Sequence, residues 1–178
     1  MLSQDIAAPA VTMAEAQAYA RVETGEEEAL LVGLVRSATG LCEAFTGRVL
    51  IARPFVEELA VSSDWQRLAL TPLRGIDSVE RIAADGNVAA MLAASDYAID
   101  IDARGDGWVR VSAASGLGRL RVSGRAGMSD TPNGVPEPLR QGILRLTAHL
   151  FSTRDGGAGE PPAAVTALWR PYRRMRLA

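Results

Sequence analysis

A chain of 178 residues and 18.9 kDa suits one domain that buries roughly two-thirds of its unfolded surface without disulfides or metal, and its formal charge of −2 excludes the whole-chain basic field of a general nucleic-acid binder. All 19 basic residues are arginine, and the single cysteine, Cys42, excludes an intrachain disulfide framework and fits a reducing compartment. No basic segment followed by an apolar run opens the chain, and no stretch approaches ~18 uninterrupted apolar residues, so a soluble protein that is not secreted by a classical signal and has no membrane partner is expected.

Val11-Thr12-Met13-Ala14-Glu15 has the form of a capping box, with the Thr12 hydroxyl accepting from the Glu15 amide and the Glu15 carboxylate from the Thr12 amide. It predicts a short helix from Met13 to Arg21. The same device at Thr24-Gly25-Glu26-Glu27 starts a second helix, with Glu26, Glu27 and Glu28 in the first turn where the helix dipole favours negative charge. Along it Leu30, Leu31, Leu34, Val35, Ala38, Leu41, Cys42 and Phe45 follow the spacing of one buried stripe, until Gly47 offers a C-terminal cap. Cys42 lies on that stripe and reads as packing.

From Val49 to Gly124 the pattern changes to short β-prone runs: Leu50 to Leu59, Trp65 to Leu70, Ile76 to Ala83, Tyr97 to Ile101, Trp108 to Val111 and Arg119 to Val122. Asp85-Gly86, Arg104-Gly105-Asp106-Gly107 and Ser115-Gly116 divide them as turns. Alternation in Trp108-Val109-Arg110-Val111 and Leu120-Arg121-Val122 implies strands with one buried face, hence a small antiparallel sheet.

Pro136 and Pro138 are tolerated at a helix start, and a third helix runs to Thr153 with Leu139, Ile143, Leu146 and Leu150 on its apolar side. Arg140, Gln141, Arg145 and His149 are free to face outward or meet a partner. The loop Asp155 to Gly159 ends it, and a helical turn over Ala163 to Trp169 stops at Pro171. The resulting expectation is an α+β fold: a small helical bundle of about four helices with an antiparallel β excursion between the second and third helices. It is read as one domain over 1–178, with 49–124 as a β-rich insertion and 161–178 as a C-terminal docking segment.

Catalytic parts are not assembled by the sequence. His149 has no nearby cysteine or second histidine, so zinc and Ser-His-Asp arrangements lack their usual members. Asp100-Ile101-Asp102 with Gly105-Asp106-Gly107 resembles the start of a calcium loop, but Val111 stands where the bidentate Glu is needed. Gly116-Leu117-Gly118 lies among β-prone residues and no Gly-Lys-Ser/Thr occurs. Neither an enzyme nor a cofactor is expected.

The segment above background is the C-terminus, where aromatic and apolar residues interleave with arginines, a composition over-represented among binding hot spots. Trp169, Arg170, Tyr172, Arg173, Arg174, Met175 and Arg176 are therefore the candidate partner-binding residues. A frayed end with Trp169 packed on the core, or an arginine tail that binds nucleic acid, are the alternatives.

Three ordered segments together resemble the head-to-tail connector (adaptor) family of tailed phages. Pro9 to Ala16 with Tyr19-Ala20-Arg21-Val22 is similar to its N-terminal helical pair, and Ala44 to Leu50 to its helix end. Val135 to Leu146, Ala148 to Phe151 and Arg154 are similar to its third helix, followed by the proline-led segment ending in Trp169-Arg170-Pro171-Tyr172-Arg173. The resemblance implies a structural virion component, assembled in the bacterial cytoplasm. It would form an adaptor ring of about a dozen copies between a portal protein and a stopper or tail-completion protein. DNA would pass through the channel without sequence-specific binding. The GC-rich coding bias that the arginine and alanine usage suggests also fits the version found in a gene transfer agent.

Overall fold

A computed structural model of the chain describes residues 2–4, 8–22, 27–83, 88–112, 118–153 and 161–174. The elements in order are β1 (Leu2–Gln4), α1 (Met13–Ala20), α2 (Glu28–Thr46), β2 (Arg53–Ala60), β3 (Gln66–Arg67), β4 (Leu73–Ile82) and β5 (Val88–Met91). They continue with β6 (Tyr97–Ile101), β7 (Gly107–Val111), β8 (Arg119–Ala126), α3 (Glu137–Ser152) and α4 (Ala163–Trp169). The chain divides into two compact units, one of residues 1–6 and 52–127 and one of residues 7–51 and 128–178.

The first unit is all β. Its larger sheet has the order β1-β2-β8-β4-β5 and its smaller sheet the order β3-β7-β6, with every pair of neighbouring strands antiparallel. β8 holds the larger sheet together by pairing along its length with β2 on one side and β4 on the other. On β8, Leu120, Val122, Gly124 and Ala126 alternate inward with more exposed residues, the period-two pattern of a half-buried strand. Gly124 is required by close backbone approach, because a Cβ there would fall 2.3 Å from the Gly75 carbonyl oxygen across the pair.

The expected helical bundle with a single β excursion does not hold: among the described residues eight strands in two sheets make the fold more β than that description, and β1 lies before the first helix. β1 and β5 escaped the sequence because edge strands of three and four residues are too short for an alternation to register. Their conformation comes from pairing with β2 and β4, separated from them in sequence or by a turn. The Asp85-Gly86 and Ser115-Gly116 turns and the Asp155 to Gly159 loop lie outside the described residues.

The second unit is helical. Thr12 and Glu15 form the capping box in full: the Glu15 amide donates to Thr12 Oγ1 at 3.2 Å and the Thr12 amide to Glu15 Oε2 at 2.8 Å. The Thr24 to Glu27 box falls largely outside the described residues. α2 closes at Gly47 in the left-handed conformation, φ 67°, where glycine carries no Cβ penalty.

Its buried line is Leu31, Val35, Ala38, Thr39, Cys42 and Thr46, narrower than the leucine spacing implied. Leu30 and Leu41 lie outside it, 42% and 46% exposed. Thr39 and Thr46 take inward places because their hydroxyls donate to the Val35 and Cys42 carbonyls of their own helix. By length and a mean hydropathy of 1.3, α2 is also apolar enough to cross a membrane, but this line packs into the unit's core with Leu139, Ile143, Leu146, Val165 and Trp169. Each such large side chain contributes roughly 1.5–3 kcal/mol of transfer free energy before entropy is subtracted.

Arg140, left free by the sequence to face outward or meet a partner, bridges Glu15 and Glu137 within the chain, tying the first turn of α1 to the first turn of α3.

Candidate functional site

The C-terminal segment is built from Pro162 onward. The two prolines end the preceding chain and α4 forms one short apolar face, Val165 and Trp169, against the core. Trp169, expected as an apolar anchor for a neighbouring protein, is 1% exposed. Its indole N–H donates to the Leu139 carbonyl at 3.3 Å, and its ring lies 5.9 Å from that of Phe45. Gly142 makes the room: a Cβ there would fall 2.1 Å from Trp169 Nε1. Trp169 is thus the subunit's own anchor.

A 3-10 turn over Arg170–Tyr172 follows, and at Arg173 the backbone becomes extended, φ −66° and ψ 129°. The strand-like end then lies across the last turn of α2. The Arg174 amide donates to the Thr46 carbonyl at 2.8 Å, and Arg48 Nε donates to the Tyr172 carbonyl at 3.1 Å. The Arg173 guanidinium stands 5.7 Å from the Phe45 ring centroid, within the range of a cation–π attraction. Carbonyls at a helix C-terminus lack intrahelical donors, so a backbone N–H from Arg174 and a nearby cationic side chain are suitable partners.

Of the candidate residues, Arg170 and Arg173 are exposed, Tyr172 and Arg174 are half-buried and Trp169 is internal. Met175 and Arg176 lie outside the described residues. Phe45, Thr46 and Arg48 belong with this segment, a grouping the sequence did not reveal. Arg48 directly after the Gly47 cap was a visible hint of a basic helix end, but nothing local signals a partner 124 positions away.

The β unit carries a second arrangement that sequence reasoning missed. On the smaller sheet Arg110 stacks over Trp65 at 4.8 Å and Arg67 over Trp108 at 5.7 Å, with Trp65 43% exposed. Arg67 also pairs with Asp106. The calcium-like turn is a self-satisfied one: the Asp102 carboxylate accepts the Asp106 amide at 2.9 Å and the Arg104 amide at 2.8 Å. Those amides, the Asp106 one first, hold Asp102 below the usual carboxylate range against its desolvation. Among the described residues no group of three or more His, Cys, Asp or Glu could hold a metal ion. Burial, with a smaller push from Glu43, drives the Cys42 thiol far above its ordinary range, the opposite of an activated nucleophile.

With this geometry in hand, neither a protein-family profile nor a curated protein matches the sequence. Solved structures do. The chain is similar to one in the neck of an empty gene transfer agent particle computed with C6 symmetry, at a TM-score of 0.79 and 26% identity. It is likewise similar to one in the virion of the native gene transfer agent, at 0.77 and 25%, and to one in the native neck computed with C12 symmetry, at 0.73 and 26%. Each match covers 100% of this chain and 97% of the other. The head-to-tail connector resemblance read from the sequence is therefore met by structures from the neck of a gene transfer agent particle.

Proposed function

We propose that this chain is a structural, non-catalytic subunit of the neck of a gene transfer agent or related phage-like particle, assembled in the bacterial cytoplasm. The observation that carries the proposal is likeness along the whole chain, at a TM-score of 0.79, to a chain of such a neck. In the finer form of the reading, about a dozen copies form an adaptor ring that continues the portal's DNA channel and receives the stopper or tail-completion protein.

Within that ring the C-terminal segment is the docking element. Arg170 and Arg173 are exposed on a short stretch held by Tyr172, and with Arg174, Met175 and Arg176 they are the residues proposed to meet a neighbour. Trp169 fixes its root. The rival reading, a nucleic-acid-binding tail, has weaker support because Arg173 is already stacked on Phe45 and the chain has no net positive charge.

Particles produced without this chain test the proposal: DNA-filled heads separated from tails are expected. Intact necks in its absence would sink the reading, and a salt-sensitive affinity of the purified chain for DNA would favour the rival.

A further inference from the structure

Glycine inside an exposed helix weakens it, and α2 carries two, Gly33 and Gly40, with nothing in the subunit's described residues that explains either. A Cβ built at each meets nothing within 4 Å, so no internal packing needs the space. They lie on the side of α2 opposite its buried line, together with Leu30, Ser37, Leu41 and Ala44, all exposed. Ser37 turns its hydroxyl onto the Gly33 carbonyl at 2.9 Å, which removes the polar group on this face. The charged side chains of α2 between its first turn and its end, Arg36 and Glu43, sit at the border. An uncharged face with two exposed leucines on a 19-residue helix is unlike a solvated surface.

From this face we infer the contact between adjacent copies in the ring: the outer side of α2 packs against a neighbouring copy of this chain. The inference rests on the neck reading proposed above. A second copy is the occupant for two reasons. Necks similar to this chain were computed with C6 and C12 symmetry, which sets identical subunits side by side. The size of the face also fits a repeated contact: from Ala29 to Ala44 it is about 24 Å long and about 10 Å wide, roughly 250 Å², against about 800 Å² per partner in a free-standing interface. Such a contact is too small to hold two free subunits together and suffices when a template supplies the rest. A nucleic acid would require cations on the face, and it has none.

The test is a Gly33→Arg/Gly40→Arg chain produced together with the wild type. Because both positions open into space, its thermal midpoint should equal or exceed that of the wild type. Its copy number per particle, counted by mass spectrometry, should fall by about tenfold or more, since two guanidinium groups would be buried without partners. Incorporation equal to the wild type would overturn the inference while leaving the neck reading intact. Absence of the wild-type chain from particles would overturn both.

A photo-cross-linking side chain in place of Arg36, at the border of the face, identifies the occupant. An adduct of twice the chain's mass in particles, and none in the free chain, is expected. An adduct with a different protein, or none from a chain present in the neck, would overturn the assignment to a second copy.

Discussion

Glu57 is a carboxylate held at 7% exposure on β2, its oxygens accepting the Ala69 amide at 2.9 and 3.2 Å. Burial raises its pKa more than that hydrogen bond lowers it, so the folded value lies above the unfolded one. The unfolded chain therefore releases this proton first as pH rises, and Glu57's contribution to stability, complete below its unfolded pKa, is lost as pH climbs through the folded value. Glu57→Gln keeps an oxygen for the Ala69 amide and removes the titration. Relative to wild type it should gain stability between pH 4 and neutral pH, read from urea midpoints at the two; a pH-independent difference would refute the assignment. Trp169 makes the complementary case, since Trp169→Ala should cost about 3–5 kcal/mol in urea unfolding, the range for a buried aromatic. The composition around Trp169 suggested a docking anchor, and packing on the core stood as its alternative. Deciding between them needed Gly142, 27 positions earlier, whose missing Cβ makes room for the indole. Cys42 was legible from its place on the α2 stripe alone.

At the scale of elements, local chemistry was readable and pairing was not. The Thr12–Glu15 box and the Gly47 cap act within one helical turn, so their residues could be named from sequence and both stand in the structure. Thr12→Ala should accordingly cost about 1 kcal/mol in thermal or urea unfolding, by leaving the Glu15 amide without its acceptor. The Thr12 amide, the chief cause, and the Thr12 hydroxyl, which this substitution removes, donate to the Glu15 carboxylate and hold it below its usual range. The stripe on α2 was half legible: spacing identifies a helical face, but not how wide a sector its neighbours cover. Packed by α1, α3 and α4 on one side, the helix buries Leu31 and leaves Leu30 out. β2, β4, β6, β7 and β8 were found because each carries a run of β-prone residues between turn residues, with inward–outward alternation legible in β7 and β8. The order β1-β2-β8-β4-β5 was not, because β2 finds β8 across 59 to 73 positions and no short-range signal encodes that choice.

For the whole molecule, the ordering of weak motifs along the chain carried more information than any one of them, which is how a resemblance spanning both ends survives at 25–26% identity. The C-terminal segment proposed to dock on a neighbour offers the sharpest test of that role. Cutting at Tyr172 would reach into the fold, because Tyr172 packs on the core, its carbonyl accepts from Arg48 Nε, and the Arg174 amide closes the end of α2. That cut would remove contacts belonging to the fold. A chain ending at Arg174 leaves every one of them in place. It should unfold at the wild-type urea midpoint, because these contacts all lie before the cut. In particles, loss of 175–178 takes away Met175 and Arg176, an apolar and a cationic group of the proposed joint, so electron micrographs should show heads detached from tails. Adding Arg170→Glu and Arg173→Glu should deepen the defect: both side chains are exposed, and Arg173 gives up only a cation–π contact of about 0.5–1 kcal/mol at such a site. Reversing their charge would turn an attraction to carboxylates on the neighbour into repulsion. Particles with normal head-to-tail joints from the truncated, charge-reversed chain would show that this segment only seals the end of α2 and that the joint is made elsewhere on the subunit.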